Sequence, residues 1–173
     1  KKSPYTEEDA REPVSVYGKT KVVAEDCVKE LCPKSYILRS GWLFGGFEQD
    51  KKFVAKILEL AHCEKPLRVV ADTVGSPTFT VDFCEAALRI LQKAPFGTYH
   101  VANEGFCSRY DFAVAIMKIA GWSVSIEPIP SDEFKLPAPR PKFVALATEK
   151  LKRSKLDSLR SWECALAEYV PAF

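Results

Sequence analysis

Tyr17 and Lys21 stand four residues apart in the stretch Val16-Tyr17-Gly18-Lys19-Thr20-Lys21. On a helix that spacing projects both side chains from one face, a turn apart, so the ammonium can lie near the phenol. A free tyrosine has a pKa of about 10, and a nearby positive charge favours the phenolate. A phenol tuned in this way can donate a proton to a carbonyl oxygen, or take one from an alcohol, near neutral pH. That is half of a carbonyl reduction, and hydride from a nicotinamide would be the other half. Spacing alone does not separate this reading from an exposed first turn of a helix. With six tyrosines and many lysines in the chain, one chance pair at this spacing is close to expected. Gly18 weakens the helix where it starts, and it would leave room for a ligand to approach.

The elements that must carry this pair are legible from periodicity. Residues 1–15 form an irregular acidic lead-in broken by Pro4 and Pro13. A helix is expected from Val16 to Leu31, where Ala24, Cys27, Val28 and Leu31 recur at three- and four-residue spacing until Pro33. "SYILRSGWLFG" reads as a buried strand entering a glycine loop. A helix over 51–62 would bury Phe53, Val54, Ile57, Leu58 and Ala61. "PLRVVAD" is a strand, and "DTVGSPT" reads as a loop. A helix over 81–92 would use Phe83, Cys84, Ala87, Leu88 and Leu91 as its apolar face. "FGTYHVAN" is a turn and strand. In the helix "SRYDFAVAIMKIAG", Ser108 and Asp111 have capping spacing and Gly121 can close the end. "SVSIEPI" is a short strand, residues 128–141 hold five prolines and are irregular, and short helices near 148–153 and 161–170 finish the chain. Strands alternating with helices predict an α/β layer architecture with a mostly parallel sheet.

Composition bounds the function. At 173 residues, with 47% hydrophobic and 28% charged residues, the chain fits one globular domain. A net charge of +2, with basic and acidic residues interleaved, argues against a nucleic-acid partner. No run of 18 apolar residues exists to span a membrane, and the polar start is unlike a signal peptide, so a cytoplasmic location is expected. The six cysteines form no CxxC pair and have no histidine at ligand spacing, which predicts no metal site. They read instead as small buried hydrophobes, with Cys27, Cys84 and Cys164 on apolar helix faces.

Beyond the pair itself, "EEDAREPVSVYGKTKVVAED", "YILRSGWLFG", "DTVGSPT", "GTYHVANEG" and "APRP" occur in an order that resembles the extended short-chain dehydrogenase/reductases. Among these the chain is most similar to the dTDP-4-dehydrorhamnose reductases, over nearly its whole length. The resemblance implies an NADPH- or NADH-dependent reduction of a dTDP-sugar. It implies that Tyr17 is the proton donor to the sugar C4 carbonyl, and that Lys21 lowers its pKa and hydrogen-bonds the nicotinamide ribose. It further implies that Trp42 packs against the sugar ring, that Gly75, Ser76, Pro77 and Thr78 line the site, with Thr78 touching substrate, and that Arg140 meets the nucleotide diphosphate. Two positions depart from the family pattern: Lys52 precedes Phe53 where an asparagine is usual, and Arg109 replaces a common aromatic.

A dinucleotide cradle needs a strand, a glycine-rich turn and a helix N-terminus, about 30 residues in all. Only 16 residues precede Tyr17, none of them glycine, and the eight glycines form no G-x-G-x-x-G. The expected fold is therefore an incomplete Rossmann-like parallel sheet with a small C-terminal substrate-binding region, its N-terminal nucleotide-binding half missing. Residues 1–45 would hold the catalytic helix and following strand. Residues 46–173 would be mostly substrate-binding, with returning Rossmann elements near 67–103. Helix 16–31 and strand 35–44 would lack their cover, which predicts self-association. Two alternatives stay open: a non-catalytic sugar-nucleotide-binding or regulatory subunit, and a sugar-nucleotide epimerase.

Overall fold

The computed structural model describes residues 3–62, 66–134, 137–154, 156 and 158–172. Helix α1 spans Val16–Leu31, capped by Ser15, whose hydroxyl accepts from the Gly18 N–H at 3.1 Å. Strands β1 (Tyr36–Arg39) and β2 (Leu43–Phe44) follow, then α2 (Phe53–Ala61) and β3 (Leu67–Val70). β4 (Val74–Gly75) and β5 (Thr78–Phe79) lead into α3 (Thr80–Lys93) and β6 (Gly97–His100). β7 (Cys107–Ser108), α4 (Arg109–Ala120), β8 (Ile126–Ile129), β9 (Phe143–Val144), α5 (Glu149–Arg153) and α6 (Trp162–Tyr169) complete the order.

The fold is α/β and its pairings are mostly parallel, but the strands do not join into one sheet. Among the described residues β1 pairs with β6, β2 with β5 and β3 with β8, each in parallel, while β4 lies between antiparallel β7 and parallel β9. The "DTVGSPT" stretch, read as a loop, contains two of these strands. Each is two residues long, too short for an alternation to show in sequence.

Two apolar clusters hold the layers together. One gathers Phe44, Val54, Ile57, Phe79, Phe112, Ile116, Leu166 and Tyr169 between α2, α4 and α6. The other gathers Ala86, Ile90, Tyr99, Val101, Leu151 and Leu159 around α3, β6 and α5. α4 is closed as expected: Ser108 accepts from Asp111 N–H at 3.0 Å, Asp111 accepts from Ser108 N–H at 3.1 Å, and Gly121 turns left-handed at φ 71°. α3 departs from expectation. It buries Asp82, Ala86 and Ile90 and leaves Leu88 and Leu91 exposed. The reason is Asp82, which is drawn inward by Arg160 at 2.9 and 3.0 Å and by the Asn103 amide at 2.6 Å. This network fixes the rotation of the helix, overriding its most apolar stripe.

The cysteines are a second correction. Cys27, Cys32, Cys84 and Cys164 are exposed, and Cys107 is buried. Cys27 lies on α1, where no residue is buried, and Cys84 lies on the outward face of α3. Burial pushes the Cys107 thiol up to about 12, so it stays un-ionised at neutral pH.

α1 is tied to the body by charge. Arg39 on β1 donates to both Glu25 oxygens, at 2.8 and 2.5 Å, and Arg11 bonds Asp26 at 2.7 Å. Next to this pair, burial holds His100 below its usual pKa. Its Nδ1 lies 3.2 Å from the Ala147 carbonyl, and its backbone N–H donates to Glu7 at 2.8 Å. The lead-in is also fastened at Tyr5, which exchanges backbone hydrogen bonds with Ala145 and Ala147 at 2.8 and 2.7 Å.

The hydrogen bonds from Arg39 hold the Glu25 carboxyl below its ordinary value of 4.5. A depressed carboxyl pKa contributes stability that is complete above the ordinary value and is lost as pH falls through the folded value. Glu25→Gln should therefore ease opening of α1 by about 1–3 kcal/mol at pH 7. Amide exchange should quicken over residues 16–31, and acidification of the unmodified chain should reproduce the effect. Unchanged exchange in α1 would contradict the tether.

Candidate functional site

Tyr17 and Lys21 lie in the first two turns of α1, both exposed, with the Lys21 ammonium 5.6 Å from the Tyr17 ring centroid. That is within cation–π reach and places both polar ends on one face. The space expected beside Gly18 is taken: a Cβ there would meet the Pro13 Cβ at 3.0 Å. Gly18 thus serves the close passage of the lead-in rather than a ligand.

Trp42 sits in the bend between β1 and β2 with a backbone φ of +34°, a conformation that bulky residues rarely adopt. Such strain persists only where surroundings over-determine it, and it concentrates at functional sites. The surroundings here are specific. The Thr78 N–H donates to the Trp42 carbonyl at 3.2 Å. Gly75 lies so close to the indole that a Cβ would stand 2.4 Å from Cε2. The Arg109 guanidinium carbon lies 3.6 Å from the Trp42 ring centroid and 4.7 Å from that of Phe53. Phe53 in turn stacks on Phe112 at 5.6 Å, with 9° between the rings.

Trp42 was expected to receive a sugar ring, and the face covered by Arg109 is not open to one. Thr78 was expected to touch substrate, yet it is fully buried with its hydroxyl 3.4 Å from the Ser76 carbonyl. Ser76 is buried too, accepting from the Leu146 N–H at 3.0 Å. These residues form a floor that positions Trp42. Arg140 is exposed, and its charge reaches Arg109. Burial, with that charge adding to it, pushes Arg109 down to about 10, still cationic at neutral pH. Arg109 is the residue that sequence reasoning missed; its departure from the family pattern was the available signal. Lys52, the other departure, is the N-cap of α2 but gives it no side-chain cap; its own N–H donates to Asp50 at 2.8 Å. The Tyr169 hydroxyl holds the other Asp50 oxygen at 2.8 Å.

A family model described as the RmlD substrate binding domain matches residues 1–173. The chain belongs to this family. It is 36% identical over 167 residues to the spore coat polysaccharide biosynthesis protein SpsK of Bacillus subtilis, covering 96% of this chain and 58% of that protein. It is 37% identical over 172 residues to dTDP-4-dehydrorhamnose reductase of Mycolicibacterium smegmatis, covering 98% and 52%. The crystal structure of a dTDP-4-dehydrorhamnose reductase from Clostridium acetobutylicum superposes with a TM-score of 0.93 at 40% identity, covering 99% of this chain and 60% of that one. The corresponding Bacillus anthracis reductase in complex with NADP gives 0.92 at 32% identity, covering 98% and 60%. The chain thus spans just over half the length of these relatives.

Gly75→Ala tests the pinning of Trp42. Gly75 does not have a positive φ, so the penalty of a methyl there is steric and falls on the indole. We expect a loss of about 1–3 kcal/mol in unfolding free energy, with a shifted tryptophan emission. A stability equal to that of the unmodified chain would show that the indole is free to move.

Proposed function

We propose that this chain carries the catalytic helix and sugar-nucleotide-binding region of an NAD(P)H-dependent reductase converting dTDP-4-dehydro-L-rhamnose to dTDP-L-rhamnose. The observation that carries the reading is the Tyr17–Lys21 pair, exposed on one helix face, in a chain whose relatives are named as that reductase. Tyr17 donates its phenolic proton to the C4 carbonyl oxygen of the sugar. Lys21 stabilises the phenolate left behind and offers its ammonium to the ribose beside the nicotinamide. When bound, the nicotinamide supplies hydride, and the NADP complex of the Bacillus anthracis relative favours NADPH. Trp42 orders the sugar-side wall, Thr78 acts behind it, and Arg140 meets the diphosphate. A planar guanidinium suits that bidentate contact.

The residues present fit the nicotinamide end of the cofactor through Tyr17 and Lys21. No glycine turn in the 173 residues fits its pyrophosphate. The chain by itself should therefore not oxidise NADPH with the keto-sugar nucleotide, and turnover by it would refute this division of labour. Made in the protein that carries this chain, Tyr17→Phe should lower kcat by about 10²- to 10⁴-fold with little change in KM. Full activity would sink the catalytic assignment.

A cytoplasmic enzyme fits this role; among the described residues no helix is long and apolar enough to cross a membrane. Self-association is part of the proposal. Val16, Val23 and Leu31 of α1 are 77%, 60% and 82% exposed, an apolar surface of the kind that draws partners. Size-exclusion chromatography should give a species larger than 19.4 kDa, and a stable monomer at high concentration would contradict it.

A further inference from the structure

Five arginines of this chain each find a carboxylate: Arg11 and Arg39 meet Glu25, Arg68 meets Glu133, Arg89 meets Glu85, and Arg160 meets Asp82. Arg109 does not. Among the described residues no carboxylate or carbonyl accepts from its guanidinium, and its backbone N–H is used on the Thr73 carbonyl at 3.1 Å. The group is half-buried, held against Trp42 and Phe53, and its nitrogens keep contact with solvent.

A partly desolvated guanidinium with no carboxylate against it is left with donors free to receive an anion. The arrangement is also pre-organised. Two aromatic rings already fix the Arg109 side chain, so less rotamer freedom is lost when a ligand arrives. We propose that Arg109 is a ligand-binding residue whose guanidinium clamps an oxyanion of the ligand beside the Trp42 indole. The oxyanion is a diphosphate oxygen or a carboxylate on the sugar; both present the paired acceptors that a guanidinium fork matches. The inference rests on the sugar-nucleotide reading of this site and sharpens it: the group facing the covered side of Trp42 is anionic, not the apolar face of a hexose.

Calorimetric titration of the 173-residue chain with inorganic pyrophosphate, dTDP-glucose and dTDP-glucuronate tests the clamp, with Arg109→Gln and Arg109→Lys alongside. Thermal unfolding confirms that each variant is folded. Loss of a charge-assisted bidentate contact should weaken binding about 10- to 100-fold in Arg109→Gln, and Arg109→Lys should fall between it and the unmodified chain. Equal weakening for all three probes assigns the oxyanion to the diphosphate; weakening for dTDP-glucuronate alone assigns it to a sugar carboxylate. Binding by Arg109→Gln within about twofold of the unmodified chain for every probe overturns the proposal, as does no binding of any probe to the unmodified chain at about 10 mM. Should Arg109→Gln fail to fold, Arg109→Lys decides: affinity within about twofold overturns the clamp. Pyrophosphate bound through Arg109, with no keto-sugar reductase activity in the protein that carries this chain, would sink the function above and leave the clamp. Full reductase activity of that protein with Arg109→Gln, at undiminished affinity, would do the reverse.

Discussion

The strained backbone of Trp42 is the constraint from which the candidate site follows. A tryptophan at φ +34° persists because three elements hold it. β5 supplies a hydrogen bond to its carbonyl, β4 a glycine against its indole, and α4 both the Arg109 guanidinium on its ring and Phe112 as an aromatic neighbour 6.5 Å away. Each of these elements is positioned for its own reason. β4 is fixed between β7 and β9, β5 is clasped by the Asn103 side-chain oxygen accepting from the Phe79 N–H at 2.8 Å, and α4 begins at its capping box. Trp42 is therefore less a contact added to the fold than the point where the short sheets are made to agree.

α1 follows a different physical rule. None of its residues is buried, and its connection to β1 is the bidentate Arg39–Glu25 pair rather than an apolar face. A helix held by charge can keep Tyr17 and Lys21 oriented while their surface stays available. It also means that the pair expected to do chemistry and the pocket expected to hold substrate stand on parts of different character, one tethered and one packed.

Much of the framework was readable in sequence, for reasons that can be named. The bounds of α1 and α4 followed from local signals: three- and four-residue spacing, Pro33, the Ser108–Asp111 box and Gly121. What was not readable depended on distant partners. Leu88 and Leu91 look like a core face until Asp82 meets Arg160, 78 residues away. Cys27 and Cys84 look buried until the helix faces they lie on prove to be exposed. The "DTVGSPT" strands are too short to show a period, and their glycine reads as a turn residue when its task is to admit an indole from a bend more than thirty residues earlier. Arg109 was visible only as a departure from a pattern. The aromatic rings that give it meaning come from Trp42 and Phe53.

In the proposed reading Tyr17 and Lys21 act as a proton donor and its cation, and the residues packed around Trp42 face the sugar nucleotide. The indole N–H signals of Trp42, Trp122 and Trp162 can be followed by NMR while dTDP-L-rhamnose is added to the chain. Trp162 is buried in the core and Trp122 packs on His62, so both serve as internal controls. The account predicts a saturable shift of the Trp42 signal with the other two unmoved. A Trp42 signal that stays in place while dTDP-L-rhamnose is bound would contradict it.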